Sequence, residues 1–176
     1  DLNDFLKDRF RYYLKEKEIR FDIIEATLSS FSLNKLFTSF EKAKCLNKII
    51  NSQIGIDINS SYKRASNILD HEMKNNEIKI NDTTDPGIFK SEFEKNLYKK
   101  INDIKKYYST VNSDENFEKS LLILAEVKKE VFEFFDNVKV NEDDETLRKN
   151  RLELINMLCK TFQNYINFQF LKANNE

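Results

Sequence analysis

The chain has 176 residues, 40% of them hydrophobic and 34% charged, with 15 Phe and 7 Tyr but only 2 Gly, 1 Pro and no Trp. So few turn-forming residues exclude most all-β and loop-rich folds, and the hydrophobic content excludes a disordered chain. The net charge of −1 hides an uneven distribution: residues 111–145 carry 11 acidic and 4 basic groups, residues 31–75 carry 4 and 7, and residues 146–176 carry 2 and 5. The balance alone neither shows nor excludes a polyanionic partner.

The hydrophobic period is helical throughout. A first helix over Leu2–Glu16, with Asp1 as its cap, aligns Leu2, Phe5, Leu6, Phe10, Tyr13 and Leu14. A short helix over 22–30 follows, with Ile23, Ile24 and Leu28 apolar. Ser32 opens a third helix that ends before Gly55, burying Leu33, Leu36, Phe37, Phe40, Cys45, Leu46, Ile49 and Ile50. Asp57 caps a fourth, running to about Lys74 with Ile58, Tyr62, Ala65, Ile68, Leu69 and Met73 inward. Residues 75–87 are the least helical stretch, either an ordered excursion or a mobile loop, with a turn at Asp85-Pro86-Gly87.

A helix from Ile88 or Phe89 carries the strict stripe Phe93, Leu97, Ile101, Ile104, Tyr108. Asn112-Ser113-Asp114 breaks the chain and caps the next helix, which bears Phe117, Leu121, Leu124, Val127 and Val131 and runs into Phe134-Phe135. A connector over 138–143 leads to a last helix over about 144–172, roughly 40 Å long at 1.5 Å per residue. Its stripe is Leu152, Ile155, Cys159, Phe162, Ile166 and Phe170. The expected fold class is all-α, a single helical bundle of six or seven helices over residues 1–176 with an irregular segment at 75–87. The chain opens on Asp1 and reads as a piece of something longer.

No catalytic, cofactor or metal site is expected. His71 is the lone histidine, in a polar stretch that reads as a solvated helix face, and Cys45 and Cys159 show no paired metal-ligand spacing. The two cysteines read as small core residues of a reducing compartment, with one disulfide left open. Gly55 and Gly87 make no phosphate-cradling loop. No apolar run reaches the roughly 18 residues of a membrane span, and no signal peptide is evident.

Several stretches, in order along the chain, go further. They are Phe5-Leu6 with Arg9; Ile19–Ala26 (IRFDIIEA); Lys63–Leu69 (KRASNIL); Asp85–Phe89 (DPGIF); Glu94–Tyr98 (EKNLY); Val131–Val140 (VFEFFDNVKV); and Arg148–Leu154 (RKNRLEL). Together they resemble the end of the β subunit of the bacterial two-subunit glycyl-tRNA synthetases, where Phe-Phe-Asp-Asn-Val leads past an acidic connector into Arg-x-Asn-Arg-Leu-x-Leu. Departures are a Lys- and Asn-rich surface, little Ala in the helices, Ser66 where a small apolar residue is common and Lys139 where Met is frequent.

The resemblance implies an all-helical anticodon-binding domain of the DALR type. It would be a non-catalytic part of a class II glycine–tRNA ligase, whose α subunit holds the aminoacylation site. It further implies tRNA(Gly) and the α subunit as partners in an α2β2 assembly, ATP used by the whole enzyme but no cofactor bound by this piece, a cytoplasmic location, and neither DNA nor membrane as partner. A DALR-type domain of an arginyl-tRNA synthetase is the second reading. A helical protein-interaction module is the third, motivated by the heptad-like spacing from Leu152 to Phe170.

The expected tRNA-binding residues are Lys63, Arg64, Phe135, Asn137, Arg148, Lys149, Asn150 and Arg151. At least one of Phe134 and Phe135 belongs to the core, while the other can stack an unpaired base. Asn137 is first a helix-capping candidate in the left-handed region. Asp136 pairs with Arg148 or Arg151, or else Arg148, Lys149 and Arg151 reach phosphates or a guanine edge. Asn150 reads a base edge or sits inside the turn network. Lys63 and Arg64 join Lys42, Lys44 and Lys48 in one positive face if their helices pack antiparallel.

Overall fold

The computed structural model describes residues 2–76, 79–110 and 116–172. Among them are eight α-helices and no strand: α1 Leu2–Glu16, α2 Phe21–Leu28, α3 Leu36–Ile49, α4 Gln53–Asn76, α5 Glu92–Thr110, α6 Phe117–Ala125, α7 Lys128–Asn137 and α8 Glu145–Gln163. The expected all-α bundle is what forms. Helices α6 and α7 are the one helix expected there, interrupted at Glu126-Val127, and counting them as one gives seven. Buried side chains from all eight helices join in a continuous apolar cluster. α4 and α8 pack against each other at its centre, with α5 and α7 alongside. The T-shaped pair Tyr62–Phe162, 5.8 Å between centroids, joins α4 to α8.

Several boundaries differ from expectation. Gly55 lies in the first turn of α4, not between helices. The chain turns at Ile50–Ser52 instead, and Gly55 lets α4 start directly against the end of α3. A Cβ there would meet the Ile49 carbonyl oxygen at 2.2 Å and the Ile50 Cα at 2.5 Å. Both are backbone atoms with nowhere to move, so Gly55→Ala is expected to destabilise the fold by about 2 kcal/mol or more. Urea denaturation checks this, and an unchanged midpoint would contradict it.

The last helix stops at Gln163, well short of 172, and a short 3-10 turn over Phe168–Phe170 follows. Its expected stripe is mostly core: Leu152, Ile155, Cys159, Phe162 and Ile166 are buried, and only Phe170 is exposed. The seam therefore packs within the chain rather than against a partner helix. Helix α5 begins at Glu92 rather than Ile88, because Pro86–Ile88 form a separate 3-10 turn in which Asp85 Oδ1 accepts from the Gly87 N–H at 2.8 Å.

Asn116 caps α6, its side chain accepting from the Lys119 N–H; the expected cap at 112–114 and Asp1 lie outside the described residues. Leu33, Phe37 and Met73, expected inside, are exposed. Along α1 only Phe10 and Leu14 are buried, and Leu2, Phe5 and Tyr13 are exposed, because α1 packs chiefly on α2 at one edge of the bundle.

The stretch after α4 is an ordered excursion over its described part, residues 79–91, and α8 holds it. Glu153 Oε1 accepts from the Asn81 backbone and side-chain N–H groups at 3.2 and 2.6 Å. The Asn150 side chain accepts from Thr84 Oγ1 and the Asp85 N–H at 2.8 and 2.7 Å and donates to the Asp85 carbonyl at 3.0 Å. The Ile19–Ala26 stretch also has a structural task here. Arg20 grips the buried Asp22 through Nε and Nη2, and Asp22 Oδ2 accepts from the Lys172 N–H at 2.9 Å, tying the far end of the chain to α2.

Candidate nucleic-acid interface

The i, i+3, i+4 spacing of Phe132, Phe135 and Asp136 puts all three on one face of α7, and that face meets Arg64 on α4. The Arg64 guanidinium carbon lies 5.0 Å from the Phe132 ring centroid and 5.2 Å from that of Phe135. Its Nη2 donates to Asp136 Oδ1 at 2.6 Å. The cation lies over both rings, and about a third of its side chain is exposed (32%). One turn earlier, Lys128 Nζ donates to Asp57 Oδ1 at 2.7 Å and lies 5.9 Å from the Phe132 ring. Against the upward push of burial, hydrogen bonds from Lys128 and Gln53 hold the Asp57 carboxyl below the usual carboxylate range.

The two adjacent phenylalanines divide as expected. Phe134 is fully buried and Phe135 half-buried, their rings edge to face at 5.1 Å. The core ring packs edge to face against the outer one.

Asp136 does not pair with Arg148 or Arg151; it pairs with Arg64 across the α4–α7 contact. Asn137 is exposed and helical rather than left-handed: its Nδ2 donates to the Glu133 carbonyl at 2.8 Å, and Val138, in extended backbone, closes the helix. Lys63 donates to the Gln169 carbonyl at 3.3 Å, while Lys42 reaches the Asn164 carbonyl at 3.3 Å, so both border the segment after α8. Arg148 donates to Asn141 Oδ1 at 3.4 Å, and Lys149 lies 4.0 Å from Glu153 and stays nearly half exposed.

Asn150 and Arg151 correct the expectation of RNA contact: both are buried, and their polar groups are taken up inside the protein. Arg151 Nε donates to Glu94 Oε1 at 2.8 Å, and its Nη1 reaches the Lys139 carbonyl at 2.7 Å and Glu142 at 3.3 Å. Glu94 Oε2 accepts from the Lys90 and Ser91 N–H groups at 2.8 and 2.7 Å, and Ser91 Oγ accepts from the Glu94 N–H at 3.3 Å. That reciprocal pair is a capping box at the start of α5. Sequence reasoning missed Glu94, whose Ser-x-x-Glu spacing is the signal for it, and missed Phe132 and Asp57 around Arg64.

His71 is exposed beside Glu72, and both cysteines are free thiols, with Cys159 pushed up to about 12 by burial. Among the described residues no group of His, Cys, Asp and Glu is placed to hold a metal ion, and no helix is long and apolar enough to cross a membrane.

An all-helical bundle whose half-exposed face presents an arginine beside two phenylalanines is suited to stacking unpaired bases. Residues 58–171 match the DALR anticodon binding domain, and the chain belongs to that family. It is similar to glycine–tRNA ligase beta subunits: 32% identical over 94% of the chain to that of Sulfurihydrogenibium sp. (strain YO3AOP1), and 29% identical over 96% and 93% to those of Persephonella marina and Rickettsia typhi. In each case the chain spans 23% of the relative's length.

Proposed function

We propose that residues 1–176 form one anticodon-recognising domain of a glycine–tRNA ligase β subunit, binding the anticodon arm of tRNA(Gly) and performing no chemistry itself. The observation that carries this reading is the Arg64–Phe135 platform on α4 and α7, within the residues that match the anticodon-binding family. Unpaired bases stack on aromatic rings and guanidinium planes, and hydrogen bonds to their edges then select among them.

Arg64 and Phe135 take the stacked base in this scheme. Lys63 and Asn137 flank it, and Arg148 and Lys149 meet backbone phosphates from the connector side. Asn150 and Arg151 hold the connector and the 79–91 segment in place behind them. In the whole enzyme the α subunit would activate glycine with ATP, in an α2β2 assembly in the cytoplasm. The relatives named above favour the glycine enzyme over an arginyl-tRNA synthetase.

Titration of the full-length polypeptide with tRNA(Gly) and with anticodon-altered tRNA(Gly) tests this. The altered tRNA is expected to bind at least tenfold more weakly, and equal affinity would overturn the recognition role.

A further inference from the structure

A second surface, which shares no residue with the Arg64 platform, lies where α3 and α5 face the chain segment after α8. A cleft of about 380 Å³ there is lined by Lys42, Lys105 and Ser109, with Tyr108 and Tyr165 as its floor. It shares Lys42, Asn164 and Tyr165 with a neighbouring cleft of about 280 Å³ that adds Lys35, Thr38 and Ser39. The two share these lining residues as one groove, and among the described residues no carboxylate lines either stretch.

Lys160 stands beside Lys105 and pairs with Asp82, so one carboxylate serves two ammonium groups. Burial and the Lys160 charge push the Lys105 pKa below its ordinary 10.5, and Asp82 only partly opposes them. An anion in the groove would favour the charged ammonium and oppose that shift. Lys42 is steadied by the Asn164 carbonyl at 3.3 Å and the Tyr165 ring at 5.6 Å, and the Tyr165 hydroxyl donates to the Lys42 carbonyl at 3.2 Å. The groove is thus a fixed frame carrying point charges rather than a loose lysine fringe. Point charges without planar partners suit phosphate oxygens better than base edges.

We propose that this Lys35–Lys42–Lys105 groove binds the sugar–phosphate backbone of the same RNA whose unpaired bases reach the Arg64 platform. The inference rests on the RNA-binding reading above and adds a contact surface partly outside residues 58–171, because Lys35 and Lys42 precede that region.

The test is the salt dependence of tRNA binding by the full-length polypeptide with Lys42→Gln and Lys105→Gln together. Each phosphate contact contributes roughly 0.7–0.9 to the slope of log K against log salt, so the slope is expected to shrink by about 1.4–1.8. Affinity falls equally for matched and anticodon-altered tRNA, and the Lys42→Arg, Lys105→Arg variant restores the slope. Protection of lysines from amine acylation by bound tRNA, read by mass spectrometry on the unaltered protein, gives the same answer without a substitution: Lys42 and Lys105 become shielded.

Anticodon discrimination with an unchanged slope and unshielded lysines would overturn the groove and leave the platform standing. A protein that binds no tRNA overturns both. Inorganic phosphate shielding the two lysines while tRNA does not would mark a free-anion site and overturn the backbone contact.

Discussion

Replacing Arg151 by alanine is expected to lower the unfolding free energy by about 3–5 kcal/mol, the loss typical of breaking a buried ion pair from one side. Glu94 has no solvent exposure and Arg151 only 5%. Without the guanidinium the carboxylate keeps two backbone N–H donors but no countercharge. The Lys139 carbonyl and Glu142 lose their donor as well. Four parts of the chain meet on this one side chain: α8, the start of α5, the connector and its acidic turn. Lysine does not replace it, because one ammonium cannot reproduce the planar fork that reaches Glu94 and Lys139 together.

The same pair sets an acid limit. Burial alone would raise the Glu94 pKa, but hydrogen bonds from Arg151, Ser91 and Lys90 hold it below the ordinary 4.5. A depressed carboxyl pKa adds stability that is complete above the unfolded-state value and is lost as pH falls through the lower folded-state value. The contribution therefore disappears on acidification below about pH 4.5, and Glu94→Gln should flatten that part of the stability–pH curve. Urea denaturation across pH measures both, and a loss below about 1 kcal/mol for Arg151→Ala would contradict the pairing.

Arg64→Ala and Phe135→Ala are expected to behave in the opposite way. Each should weaken binding of tRNA(Gly) by about 1–3 kcal/mol, the usual cost of removing a stacking surface for one base. Discrimination against an altered anticodon should fall with it. Stability should hardly change for Arg64→Ala, because the Arg64–Asp136 pair is at the surface, where such pairs contribute little. Arg64→Lys should not restore binding, since an ammonium offers no flat face. Fluorescence titration beside a urea midpoint separates the two roles. Arg151→Ala moves the midpoint and Arg64→Ala moves the affinity; an Arg64→Ala protein with full affinity would remove the platform from the account.

The fold was legible because its helices are amphipathic and its core positions recur at helical spacing. All five apolar positions read along α6 and α7, from Phe117 to Val131, are buried. Boundaries were misread where a single residue type has two uses. Gly55 reads as a helix stop, yet it serves close approach of two backbones inside a helix. The stripe reads past the end of α8 because Ile166 stays buried after the helix has stopped at Gln163, while Phe170, its last member, is exposed.

At the candidate site, the family pattern marks the stretches that carry Arg64, Phe135, Asn150 and Arg151 but not which of these residues are buried. Arg64 and Phe135 meet at the surface, whereas Asn150 and Arg151, equally polar in sequence, are drawn inside by Thr84, Asp85 and Glu94. Those partners are 57–66 residues away along the chain. No local pattern carries such pairings; only the packing of α5 and the 79–91 segment against α8 does.

The central claim is that the α4–α7 face takes the anticodon bases. Photocrosslinking from a reactive base placed in the anticodon of tRNA(Gly), with the crosslinked peptides mapped by mass spectrometry, tests it most directly. Crosslinks to residues 62–69 and 128–137 are the expected result, and crosslinks confined to α1 and α2 would contradict it.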